Sequence, residues 1–220
     1  MAFTGFPPAA FDFYERLEAD NSKAFWQANK STFDEAVQRP MASLCEELGD
    51  YGQFRIFRPY NDLRFAKNRP PYKTHQGAYV ESDGGAGYYF DIGADGLLVG
   101  VGYYGMAKDQ LERFREAVAS DDTGQEVERI TSALAKQGYS IGAIDELKSA
   151  PRGYPKDHPR VGLLKRKGLM ASRQFPVAKW MSTKQAAGKI RSAWDGAKPL
   201  CGWLDANVGP STLPPEDAFG

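Results

Sequence analysis

The chain has 220 residues, a length at which a globular protein removes roughly 70% of its unfolded surface from water without needing metal or disulfide staples. With 42% apolar and 25% charged residues, and 13 Phe, 11 Tyr and 4 Trp, it is too rich in aromatic mass to be disordered. Lys plus Arg and Asp plus Glu both number 28, so no whole-molecule field draws it to nucleic acid or membrane, and any preference for anions must be local.

The start lacks a basic region followed by an apolar run, so no signal peptide is expected, and no stretch approaches the 18 or so apolar residues of a spanning helix. A cytoplasmic protein without membrane attachment is the expectation. Cys45 and Cys201 are far apart and only His75 and His158 accompany them, which excludes a zinc cluster of the C-x-x-C kind. No metal and no cofactor is expected.

In chain order, Phe13 and Leu17, then Phe33, Val37, Met41, Leu44 and Leu48, recur at helical steps. Asn21 and Ser31 are the expected caps, and Pro40 is expected to kink or restart the second helix. The period becomes two over residues 53–57, 77–81, 88–92 and 97–103. The turn Gly93-Ala94-Asp95-Gly96 joins the last two as a hairpin. Helices return at 108–119 and after Thr123, where Thr123 and Glu126 have capping-box spacing and Gly138 suits the stop. Residues 147–159 form a Pro-stiffened loop, 169–175 an edge strand, and 183–207 helix interrupted at Pro199. The pattern gives an α+β fold: a central antiparallel sheet of about four to six strands, with N-terminal helices and further helices covering one face. One domain is expected over 1–220, with an N-terminal extension at 1–8 and a Pro-containing tail at 208–220.

Gly100-Val-Gly102-Tyr-Tyr-Gly105 matches a dinucleotide fingerprint, yet its strand follows a tight hairpin rather than opening a parallel βαβ unit. The glycines are expected to relieve a twisted strand and its exit turn. No nucleophile elbow, phosphate loop or metalloprotease motif is present.

The strongest local signal is the segment from Arg55 to Lys73. Arg55, Arg58, Arg64, Lys67, Arg69 and Lys73 face only Asp62, a net charge of five within a neutral protein. Arg58, Arg64, Lys67 and Lys73 suit a phosphate or carboxylate, with Asp62 fixing a guanidinium fork and Tyr72 a candidate proton donor. A purely structural Asp62–Arg64 pair is the competing reading. A second basic cluster, residues 148–173, contains Asp157 and His158, the former a candidate ligand contact and the latter a candidate catalytic group. His75 is weighed in the same way. A small anionic ligand is therefore the expected partner. The alternative is a nucleic-acid- or protein-binding module, because Tyr60, Phe65, Tyr72, Tyr79 and Tyr154 interleave with the cations.

Residues 58–75, Arg58-Pro-Tyr-Asn61-Asp62-Leu-Arg64-Phe65-Ala-Lys67-Asn68-Arg69-Pro-Pro-Tyr72-Lys73-Thr-His75, resemble the signature of a bacterial and fungal family of unknown function, domain-of-unknown-function family twenty-four sixty-one. Its pattern runs R-x-x-R-D-x-R-F-x-x-D/N-K-x-x-Y-K. Phe25-Trp26, the hairpin from Gly87 to Gly105, and Leu147 to Pro159 with Gly153-Tyr154 and Asp157-His158-Pro159 look like its other hallmarks. Two positions depart: Asn61 stands where the family pattern has Arg, and Arg69 where it has Lys. The resemblance implies a soluble α+β protein of one domain and implies no reaction.

Overall fold

A computed structural model describes residues 2–62, 69–82 and 84–214. Its architecture is the expected α+β: a six-stranded antiparallel sheet with helices before and after it. Among the described residues no helix is long and apolar enough to cross a membrane.

Helix α1 (Pro8–Ala19) begins on a proline, whose missing N–H costs nothing in a first turn. Helix α2 (Lys23–Thr32) is capped by Ser22, whose Oγ accepts the Phe25 N–H at 3.1 Å, rather than by Asn21. Ser31 caps nothing, because the helix runs through it into a π-helical turn, Phe33–Gln38, and on into α3 (Arg39–Glu47). That turn is the form the expected disturbance at Pro40 takes. Proline offers no N–H to the carbonyl four residues back and its ring crowds that carbonyl, and the wider π turn ahead of it keeps the helical rod continuous.

The strands are β1 (Arg55–Ile56), β2 (His75–Glu81), β3 (Gly87–Gly93), β4 (Gly96–Tyr103), β5 (Ser140–Gly142) and β6 (Leu169–Phe175), in the order β1-β2-β3-β4-β6-β5. The expected edge strand at 169–175 is an interior one. Its outer neighbour β5, with Ser140 opposite Ser172, spans three residues and shows too little alternation to be read in the sequence. Gly96, at φ +106°, supplies the hairpin conformation that an L side chain rarely adopts. The glycines of the apparent fingerprint serve packing: a Cβ on Gly102 would lie 2.5 Å from the Leu169 carbonyl oxygen.

The chain divides into two compact units. The first comprises Met1–Val80, Tyr89–Val99 and Gln174–Ser192. Its core holds Phe3, Phe6, Phe13, Leu17, Met41, Leu44 and Leu48 from the N-terminal region, with Phe90 and Ile92 of β3. The Phe6 N–H donates to Met181 O at 2.8 Å, which ties the first residues down.

The second unit comprises Glu81–Tyr88, Gly100–Arg173 and Ala193–Gly220. Helices α4 (Lys108–Ala119) and α5 (Asp121–Lys136) pack on one another, with α6 (Val161–Leu164) a single turn further on. Helix α8 (Lys198–Asn207), whose first turn accommodates Pro199, follows α7 (Gln185–Gly196), most of which belongs to the first unit. Within this unit Trp203 of α8 meets Phe114 edge-on at 6.2 Å and donates its indole N–H to Thr123 O at 2.9 Å. The expected capping box is not formed. Helix α5 starts at Asp121, after a break at Ser120, and the Thr123 hydroxyl donates back to Ala117 O at 2.6 Å. Asp109 of α4 accepts from Ser211 Oγ at 2.7 Å and from the Thr212 N–H at 2.9 Å, so the Pro-containing tail is anchored as far as it is described.

Arg160 is the polar centre of the second unit. Its guanidinium donates to the carbonyls of Val118 at 2.6 Å and Ala119 at 3.0 Å, where α4 ends, and to Asp121 at 2.9 Å, where α5 begins. Cations suit the carbonyl end of a helix, and here the group is also buried. Arg160→Ala is expected to cost about 2–4 kcal/mol of stability, because it strands buried carbonyls and removes their charged donor. Urea denaturation checks this; a loss below about 0.5 kcal/mol, typical of surface substitutions, would remove the clamp from the list of stabilising contacts.

Candidate functional site

Of the residues singled out in the sequence, Arg58, Asp62, Tyr72 and Lys73 lie in the first unit, whereas Asp157 and His158 lie in the second. Arg64 and Lys67 lie outside the described residues.

The two described arms of the basic segment are pinned by neutral contacts. Tyr60 and Tyr72 form an antiparallel bridge, the Asn61 N–H donates to Pro71 O at 2.9 Å, and the Lys73 N–H donates to Pro59 O at 2.8 Å. Asn21, between α1 and α2, accepts the Tyr72 N–H at 3.0 Å and returns an N–H to Tyr72 O at 3.0 Å, as a neighbouring strand would. Asn61 donates to Pro70 O at 2.8 Å and to Tyr72 O at 3.3 Å. The Tyr72 ring lies parallel to Trp26 at 4.3 Å and is buried; burial pushes its phenol above the ordinary pKa. It is built as an anchor for the arm.

The cations of this segment are held close to one another. Arg58 reaches Asp62 at 3.5 Å, and its side chain is 64% exposed. The Lys73 ammonium stands 5.3 Å from the centroid of the Phe57 ring, and the Arg55 guanidinium 6.0 Å from it. Burial, then the charge of Arg58, pulls Lys73 below the ordinary lysine pKa. Among the described residues neither Lys73 nor Arg55 is bonded to a carboxylate.

In the second unit half of the basic cluster is engaged by its own surroundings, while Lys148, Arg152 and Lys156 are exposed. Arg166 meets Glu146 at 3.1 Å, Lys167 meets Asp145 at 2.6 Å, and Arg173 lies over the Tyr139 ring. His158 accepts the Arg160 N–H on Nδ1 at 3.1 Å and the Val161 N–H on its carbonyl at 2.9 Å, which makes it the corner of a turn. Asp157 is exposed.

Sequence reasoning missed a group on β3. Strand alternation buries Phe90 and Ile92 and leaves Tyr89 and Asp91 half-buried on the opposite face. The Tyr89 hydroxyl donates to Asp91 Oδ2 at 2.6 Å. Gly77 on β2 leaves room for this: a Cβ there would lie 2.6 Å from the Tyr89 hydroxyl oxygen. The Tyr89 ring in turn sits 6.2 Å from Phe57. Tyr14 of α1 is buried, its hydroxyl has no hydrogen-bond partner among the described residues, and its pKa is raised first by burial and then by the charge of Asp91. Asp91 itself is raised, burial outweighing the Tyr89 hydrogen bond and the nearby His75. The available signal was a lone acid in an otherwise apolar strand, Tyr88-Tyr-Phe-Asp91-Ile.

Two chemistries find no support in the described residues. No group of three His, Cys, Asp or Glu is placed to hold a metal. Burial pushes both thiols, Cys45 and Cys201, up to about 12, so neither is a ready nucleophile.

The raised carboxyl of Asp91 has a consequence for stability. A folded-state pKa above the unfolded value contributes stability that is complete below the unfolded value and is lost as pH rises through the folded one. Asp91→Asn is therefore expected to leave the melting temperature unchanged or higher at pH 7. The wild type should gain on the variant as pH falls towards 4, the ordinary carboxylate range. Thermal melts of both proteins from pH 7 to pH 4 measure this.

The segment that carries the signature, the β3–β4 hairpin and the helices around them fall within the span that a family model recognises. The family described as conserved hypothetical protein, DUF2461, matches residues 9–203. No curated protein and no solved structure matches the chain. With nearly its whole length inside that match, the chain belongs to the DUF2461 family.

Proposed function

We propose that the first unit binds a small anion carrying phosphate or carboxylate at the arms of the Arg55–Lys73 segment. Arg58 and Lys73 hold the anion, and Asp62 orients the Arg58 guanidinium. Tyr72 positions the arm rather than moving a proton, and Asp157 and His158 take no part. The observation that carries this reading is the Lys73 ammonium, seated over Phe57 with its charged form disfavoured by burial and then by Arg58, and with no carboxylate bonded to it among the described residues. An anion between two such cations relieves their repulsion and gains charge-assisted hydrogen bonds.

Inorganic phosphate and pyrophosphate, titrated by calorimetry at low salt, are the probes. Arg58→Ala and Lys73→Met are each expected to weaken binding about tenfold, equivalent to about 1.4 kcal/mol, with the melting temperature nearly unchanged. Lys73 is charged only below its lowered pKa, so affinity should begin to fall at a pH below the ordinary lysine range. Unchanged affinity in both variants would defeat the proposal. Tight binding of a single-stranded oligonucleotide with a steep salt slope spread over many Lys and Arg would favour the open-surface reading instead.

A further inference from the structure

We infer that Asp91 is the second contact of this same site: its carboxylate, oriented by Tyr89, receives a hydroxyl hydrogen from a ligand whose anionic group lies at Arg58 and Lys73. The ligand class is then a hydroxylated phosphate of the sugar-phosphate kind. This rests on the anion reading above.

A run of close contacts is the first support. From the Lys73 ammonium it is 5.3 Å to the Phe57 ring, 6.2 Å from there to the Tyr89 ring, and 2.6 Å from the Tyr89 hydroxyl to Asp91. Two aromatic rings thus link a cation to a carboxylate within the first unit. Sites for small molecules are built this way, mostly apolar with a few placed polar groups. The C–H groups of a sugar ring suit the aromatic middle, and its hydroxyls suit an acceptor beyond it.

The state of the carboxylate is the second. Tyr89 occupies Oδ2, and among the described residues Oδ1 has no hydrogen-bond donor. Glycines flank it on the sheet: Gly77 has no side chain to cover the Tyr89 hydroxyl, and Gly93 lies against Thr74 and His75. The titratable groups facing Asp91 are Tyr14 from α1, His75 from β2 and Tyr89 from its own strand. A half-buried acid held at a stability cost, with one oxygen free, is what a binding site requires and a packing site does not.

Charge selects a hydroxyl over an ammonium as the donor. Arg55, Arg58 and Lys73 make the approach positive, and a cationic group entering it would be repelled, whereas a neutral hydroxyl is not.

The test compares glucose 6-phosphate with inorganic phosphate on the full chain, by calorimetry. The wild type is expected to bind the sugar phosphate about tenfold more tightly than phosphate, the scale of one good hydrogen bond to a charged acceptor. Asp91→Asn keeps the shape but turns an N–H towards the ligand, because Tyr89 claims the amide oxygen. It should weaken that preference, because the ligand hydroxyl would then accept rather than donate to a charged oxygen, and the readout is the ratio of the two affinities. Asp91→Ala should abolish the preference, and a melting curve shows whether each variant is folded. Arg58→Ala should weaken both probes equally. A wild type with no preference for the sugar phosphate, or a preference that survives undiminished in Asp91→Ala, overturns the inference and leaves the anion reading standing. Absence of phosphate binding in the wild type removes both.

Discussion

Strand β3 imposes the constraint on which the candidate site depends. Successive residues of a strand point to opposite faces, so seating Phe90 and Ile92 in the core obliges Tyr89 and Asp91 to share the other side. A slip of one residue would exchange the two sets, exposing two large apolar groups worth about 1.5–3 kcal/mol each and burying an acid in their place. The register is therefore fixed by the hydrophobic pair, and the position of the carboxylate follows from it. Gly77 then lets the Tyr89 hydroxyl reach that carboxylate, so three positions on two strands determine one hydrogen bond.

Two basic clusters of similar appearance in the sequence have different fates. In the second unit part of the charge is consumed by structure: Arg160 clamps the junction of α4 and α5, and Arg166 and Lys167 meet Glu146 and Asp145. In the first unit the arms are held by amide hydrogen bonds and aromatic stacking from Asn21, Asn61 and Trp26. Ion pairs are not needed to fix them. Arg55 and Lys73, which approach the Phe57 ring and bond no carboxylate among the described residues, are the cations on which the proposed reading relies.

The helices and the four longer strands were legible because their apolar periods run for several residues, and the basic segment was legible because it is contiguous. Position within the sheet was not. Nothing local to residues 169–175 says whether another strand lies outside them, and the strand that does is three residues long. Caps failed for a related reason: Asn21 has the right chemistry to cap α2, but it is drawn off to Tyr72, 51 positions away, and Ser22 takes its place. The group around Asp91 combines α1, β2 and β3, with Tyr14 and Asp91 separated by most of the first unit's length. The sequence shows each member but no reason to join them.

Asn61 shows how a departure from a pattern acquires meaning from geometry. The signature that this segment resembles carries Arg there, and replacing it removes a cation beside Asp62. The structure supplies what is gained: the short amide of Asn61 reaches Pro70 O and Tyr72 O and so crosslinks the two arms. A long guanidinium stem would hold the same carbonyls only by giving up more rotamer freedom. This chain therefore exchanges one unit of positive field for a stiffer neck. On the proposed reading, an anion would then meet fewer charges on a more firmly held arm, with Lys73 seated over Phe57 and feeling the charge of Arg58.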